Sequence, residues 1–335
     1  MKRKVLVVIL VLMITLSFGA CGDQQEGATG ADPNENGNEV VSENDSGDVS
    51  AMESIPEGFR VMTVGTGNPQ LDVKAGGGST LVQYQDTYFL VDCGFNSMAT
   101  LINNGVKISE IEQMLFTHQH NDHNADFWTF FIGGWGDPNG RRYLNLIGPG
   151  TQDLYDMTTE FYKTDIEYRQ NVGFPPEGTL ENVDVTDLTE SDFETEIDGV
   201  KITAIPVPHT IDTYAYRFEA DGKSVVISGD LTYTEDFAPF AEDADLLVMD
   251  GMMTSDYSDV PEDFRDQLIG SLSKSHILNE EIGQIAKESN AEHLVLTHLG
   301  GEVTDALVDA NTEVYREQGF EGDVTFGYDG MVIEP

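Results

Sequence analysis

Cysteine is almost missing from this chain, with two in 335 residues. Cys21 lies near the N-terminus and only Cys93 falls in the main body, so no disulfide framework can form there. Within Phe89-Leu90-Val91-Asp92-Cys93 it reads as a small buried residue. Stability must then come from a core and from whatever binds the native state. Basic residues are also scarce: 17 Lys and Arg face 60 Asp and Glu, for a net charge of −43. Polyanions are gripped by Lys and Arg against their phosphates, and no basic cluster occurs here, so the balance argues against nucleic acid as a partner. It suits solubility outside the cell. Nucleotide signatures are lacking too. Gly65-Thr66-Gly67 has neither the third glycine of a dinucleotide fingerprint nor the Lys-Ser/Thr of a phosphate loop, and reads as a structural turn.

The one long apolar run, Val5 to Leu16, follows Met1-Lys2-Arg3-Lys4 and is too short to be kept as a spanning helix. Basic start, apolar middle and small residues at Ser17-Phe18-Gly19-Ala20-Cys21 have the form of a secretory signal. The ending resembles a bacterial lipoprotein cleavage box, with Phe18 where leucine is usual. Residues 1–20 are therefore expected to be a lipoprotein-type signal and Cys21 a lipidated anchor on the outer face of the cell membrane. An ordinary signal cut near Ala20 is the alternative, and either reading exports the protein. Residues 21–57, rich in Gly, Asn, Asp, Glu and Ser, cannot form a core and read as an acidic tether. Residues 58–335, in a chain that is 39% hydrophobic, are enough for one large α/β domain.

What the chain does have is concentrated histidine. Of seven in all, three fall in Thr117-His118-Gln119-His120-Asn121-Asp122-His123, directly after the apolar strand-like run Gln113 to Phe116. Imidazoles with a carboxylate suit zinc, iron or manganese, whereas magnesium or calcium sites are built mainly from oxygen. The pattern then repeats. Strands over Val200–Ile205, Lys223–Ser228, Asp245–Asp250 and Ala291–Leu296 end at His209, Asp230, Asp250 and Thr297-His298. Loops at strand ends can converge while the sheet holds them in register. Between His123 and His209 the reading is poorer. Phe127 to Ile132 is expected to pack in the core, Trp135 to sit exposed in a glycine-rich loop, and Asp153 to Gln170 to form a helix.

His118-x-His120-x-Asp122-His123, followed by His209, Asp230 and His298, resembles the metallo-β-lactamase fold hydrolases. Val64-Gly65-Thr66-Gly67-Asn68-Pro69, Val91-Asp92-Cys93-Gly94, Ser228-Gly229-Asp230, Leu296-Thr297-His298 and Ser275-His276 are similar to the tRNase Z and arylsulfatase/phosphodiesterase branch. The resemblance runs from about Phe59 to Pro335 and implies an α/β fold, an αβ/βα four-layer sandwich. It also implies two divalent metals, zinc first, with manganese or iron as alternatives. His118, His120 and His209 would hold one ion, Asp122, His123 and His298 the other, and Asp230 would bridge. A metal-bridging hydroxide would attack, oriented by Asp122. His276, expected to open an amphipathic helix, would act on the reacting oxygens or the leaving group.

The expected activity is an exported hydrolase of small phosphodiesters or sulfate esters. Lactone or carboxylic-ester hydrolysis, a tRNase Z-type endoribonuclease and a non-catalytic metal-binding lipoprotein are the alternatives. The expected partners are a small ester, the membrane through Cys21, and a second copy as a homodimer.

Overall fold

The computed structural model describes residues 58–335, except 72, 73, 138, 190, 256 and 259. The signal, anchor and tether readings of residues 1–57 lie outside the described residues. Those described belong to one compact unit, Gly47–Pro335. None of their helices is long and apolar enough to cross a membrane.

Two seven-stranded sheets face each other. The first carries, in spatial order, β14 (Met331–Ile333), β1 (Phe59–Gly65), β2 (Ser79–Tyr84), β3 (Thr87–Val91), β4 (Gln113–Leu115), β5 (Leu144–Gly148) and β6 (Val183–Asp187). The second runs β13 (Asp323–Phe326), β12 (His293–Thr297), β11 (Leu246–Asp250), β10 (Lys223–Ile227), β9 (Thr213–Ala220), β8 (Val200–Val207) and β7 (Phe193–Ile197). Alternation along β8 sends Val200, Ile202 and Ala204 inward, against Val61, Val82, Phe89 and Leu115 of the first sheet. This is the central core.

Helices cover both outer faces. α1 (Ser97–Asn103), α2 (Asn121–Asn124), α3 (Phe127–Gly136) and α4 (Thr151–Asn171) are set between strands of the first sheet, where Leu101, Phe130, Phe131 and Leu154 join Met62, Leu90 and Met114. α5 (Phe237–Phe240), α6 (Glu262–Leu272), α7 (Asn279–Glu288) and α8 (Asp305–Glu317) follow in the second half. Phe237, Ile282, Ile285 and Tyr315 pack there on Leu247, Leu294 and Leu296. The result is the expected αβ/βα sandwich.

β3 to β6 pair in parallel, as do β10 to β13. Parallel strands covered on both faces read as continuous apolar runs, which is why Leu246-Leu247-Val248-Met249 shows no alternation. Their carboxyl ends open onto a crevice where ligands collect.

Two expectations fail. Gly133-Gly134-Trp135-Gly136 is helical, the end of α3, and Trp135 is fully buried. Its indole packs on Phe174 and its Nε1–H donates to the Pro175 carbonyl at 2.8 Å. Glycines break a helix only weakly when tertiary contacts reward it, and burying an indole with its N–H satisfied does so. His276 does not open its helix: α7 begins three residues later at Asn279.

Candidate metal centre

The loop after β4 is fastened before it reaches its histidines. Asp92, the residue after β3, takes a left-handed backbone (φ 62°) and accepts from Thr117 N at 2.8 Å and Thr117 Oγ1 at 2.7 Å. The same carboxylate takes the Nδ1–H of His123 at 2.8 Å. Thr117 Oγ1 lies 2.9 Å from His118 Nδ1, and having given its proton to Asp92 it accepts there. His209 Nδ1 faces a carbonyl, Ser275 O, at 2.7 Å and must donate. His118, His123 and His209 are thus each tied outward through Nδ1, and each turns its Nε2 inward. His120 is reversed, with Nε2 3.3 Å from Thr210 Oγ1 and Nδ1 inward.

The inward atoms form two groups. His118 Nε2 and His209 Nε2 stand 3.1 and 3.3 Å from His120 Nδ1, and each is 3.8 Å from Asp230 Oδ2. In the second group His298 Nε2 is 3.1 Å from Asp122 Oδ2, and His123 Nε2 is 3.6 Å from the same oxygen. His123 Nε2 is 3.5 Å from Asp230 Oδ1, and His298 Nε2 3.4 Å from Asp230 Oδ2. Ligands about 2.0–2.1 Å from zinc stand roughly 3.3 Å apart in a tetrahedron, so both groups have the spacing of a cation's donors. Asp230 belongs to both.

The donor chemistry fits. His118, His209 and His120 all have lowered proton affinity, through burial first; neighbouring imidazoles add to it at His118, while at His120 and His209 burial outweighs the opposing pull of Asp230, and the neutral, metal-binding form is kept. Buried His123 Nε2 has no hydrogen-bond partner. Without a cation His123 holds its proton: burial opposes the charge, but Asp230, Asp92 and Asp122 push the ring up to about 9. Asp122, despite burial, is kept well below the usual carboxylate range by His298 and His123.

All the expected ligands come together: His118, His120, His209 and Asp230 as one set, Asp122, His123 and His298 as another. His276 joins Asp230, Asp250 and His298 in a third grouping, its ring 5.3 Å from that of His298 and 5.5 Å from that of His209. Its Nδ1 lies 2.8 Å from Asp250 Oδ2, and Asp250 Oδ1 is 3.5 Å from His298 Nδ1. Burial works against the Asp250 charge, yet His276 and His298 hold it ionised well below the usual range. His293 is structural, bonded to Thr325 Oγ1 at 2.8 Å. Asp126 accepts from Met98 N and anchors α1.

Sequence reasoning gave no role to Asp92, Thr117 or Thr210. Asp92 carried a usable signal, since like Asp250 it is a carboxylate at a parallel strand's end. Thr210 carried none.

A family model, the Beta-lactamase superfamily domain, matches residues 87–299. This chain belongs to that superfamily. Membership with this fold implies divalent metal, and the His/Asp groups above are where this member can hold it. A ribonuclease Z of Mycolicibacterium paratuberculosis is 31% identical over 286 residues, covering 81% of this chain and 96% of the relative. Among solved structures, the metallo-beta-lactamase fold protein YhfI from Bacillus subtilis has a TM-score of 0.62 at 24% identity, over 82% of this chain and 99% of that one. The short form of human tRNase Z has a TM-score of 0.61 at 18% identity, over 82% and 98%. At such identities these two establish the fold, the metallo-β-lactamase fold. The superfamily member described here is a metal-dependent hydrolase.

Proposed function

We propose that this hydrolase is an exported phosphodiesterase using two divalent cations, zinc in the first instance. The reading is carried by one observation: two sets of inward-facing ligand atoms share the Asp230 carboxylate. His118, His120 and His209 would hold one ion and Asp122, His123 and His298 the other. When bound, the cations supply Lewis acidity and a water deprotonated near neutral pH. Ionised Asp122 orients the attacking water by accepting its hydrogen bond. His276, fixed through Nδ1 by Asp250, gives a proton to the leaving oxygen, the general-acid part suited to imidazole. The two buried carboxylates behind His123 and His276 fix the ring orientations on which both steps depend.

A phosphodiester is preferred to a sulfate ester or lactone because the curated relatives bear the name ribonuclease Z. That name also counts against setting nucleic acid aside on net charge alone, so RNA is the second reading. Export and lipidation at Cys21 belong to the proposal through the Met1–Cys21 pattern. Cys21→Ser should release the protein from the membrane fraction.

The test is a hydrolysis panel on the full chain loaded with zinc, manganese or iron: bis(p-nitrophenyl) phosphate, p-nitrophenyl phosphate, p-nitrophenyl sulfate, a lactone and a short RNA. Turnover of the diester above the monoester, sulfate and lactone is expected. No turnover of any substrate by a chain carrying two ions would point instead to a binding lipoprotein.

A further inference from the structure

Resting on the phosphodiesterase reading, we infer that the site is built for a diester with one compact apolar arm, seated in a cleft at the β8–β9 corner. The cleft has a volume of about 270 Å³ and lies next to the metal centre, since His209 is part of its lining and turns Nε2 into the first ligand group. Pro206, Val207, Pro208 and Ile211 supply its apolar wall, and no Lys or Arg lines it. Its one acidic lining residue, Asp212, would repel a second phosphate. A polynucleotide needs a cation for each phosphate it lays down, whereas a single diester has its charge met at the metals.

The cleft is held in place relative to the reacting atoms. Thr210 Oγ1 lies 3.3 Å from His120 Nε2, and Thr213 Oγ1 donates to the Ile211 carbonyl at 2.9 Å. Ile211, two residues after His209, is thereby fixed at the rim although 40% exposed. Other loops next to the ligands also leave apolar side chains in water. Leu278, two residues after His276, is 37% exposed, and Val303, five after His298, is 38% exposed. Leu71 is exposed on the loop after β1, whose Gly67 bridges Leu299, the neighbour of His298. Apolar side chains repeatedly left in water on the loops around one site mark a surface that is covered in use.

The experiment reads binding, not turnover. Affinities of diphenyl phosphate and dimethyl phosphate for the metal-loaded full chain are measured by calorimetry, for the natural sequence and for Ile211→Ser. Diphenyl phosphate is expected to bind about tenfold tighter, the effect of burying roughly one ring face, and Ile211→Ser to erase most of that preference. Dimethyl phosphate, too small to reach the cleft, should bind both proteins alike. Equal affinities for the two esters, no binding of either, a preference untouched by Ile211→Ser, or a short RNA outcompeting diphenyl phosphate would overturn the inference. Selective binding without hydrolysis in the panel above would instead contradict the activity alone. Hydrolysis without selectivity would contradict the apolar subsite alone.

Discussion

Asp92 shows how much of the centre depends on groups that would hold no metal themselves but fix the side chains that would. Its carboxylate joins β3 to the loop after β4 and fixes the His123 ring. Asp92→Asn keeps the shape but weakens the acceptor behind Nδ1, and should lower metal affinity about 10–100-fold, measured by competition with a chromogenic chelator. Two further substitutions separate holding metal from using it. His120→Ala should abolish metal content and hydrolysis together. His276→Ala should retain the metal and lower kcat by about 10²–10⁴-fold, the usual worth of a general acid. Metal loss from His276→Ala would overturn its assigned part. The His-rich motif and the strand-end residues were legible in sequence because each is a chemically distinctive side chain where an apolar run stops. The bonds that set each ring's inward nitrogen were not. Thr117, Thr210 and the Ser275 carbonyl act through positions that only the folded backbone defines.

The parallel strands are what bring residues as distant as Asp92, Asp230 and His298 to one crevice. Continuous apolar runs made β10, β11 and β12 readable, whereas β6 (VDVTD) and β13 (DVTF) mix polar with apolar residues and were not read as strands. The stretch from Phe127 to Gly136 read partly wrong, because glycine spacing signalled a loop while burial of Trp135 decided for a helix. That burial should be measurable: Trp135→Ala is expected to cost about 3–5 kcal/mol in denaturant unfolding. Close approach is a second feature of these elements that composition does not reveal. A Cβ on Gly78, just before β2, would lie 2.7 Å from His123 Cε1. Gly78→Ala should therefore push the imidazole aside and weaken metal binding while the fold is kept, as checked by metal analysis beside circular dichroism.

For the whole molecule, the excess of acid over base and the pooled histidines make metal and proton uptake linked quantities. His123 in the metal-free protein sits at about 9, above the ordinary 6.5, so its charge stabilises the fold fully below pH about 6.5. That contribution is lost as pH rises through about 9. The metal-free protein should show this loss in Tm between pH 6.5 and 10. The loaded protein, whose ring is already deprotonated, should not, and loading at pH 7.5 should release protons. Net charge was a weaker guide to function, since it argued against nucleic acid where relatives named ribonuclease Z cover most of the chain. It averages over the surface, while a substrate meets one crevice. The claim that two cations share Asp230 and drive diester hydrolysis is tested most directly by adding zinc stepwise to the metal-free chain and following bis(p-nitrophenyl) phosphate hydrolysis. The rate should climb steeply with the second equivalent and level off at two per chain; a plateau at one equivalent, or no hydrolysis at any loading, would contradict it.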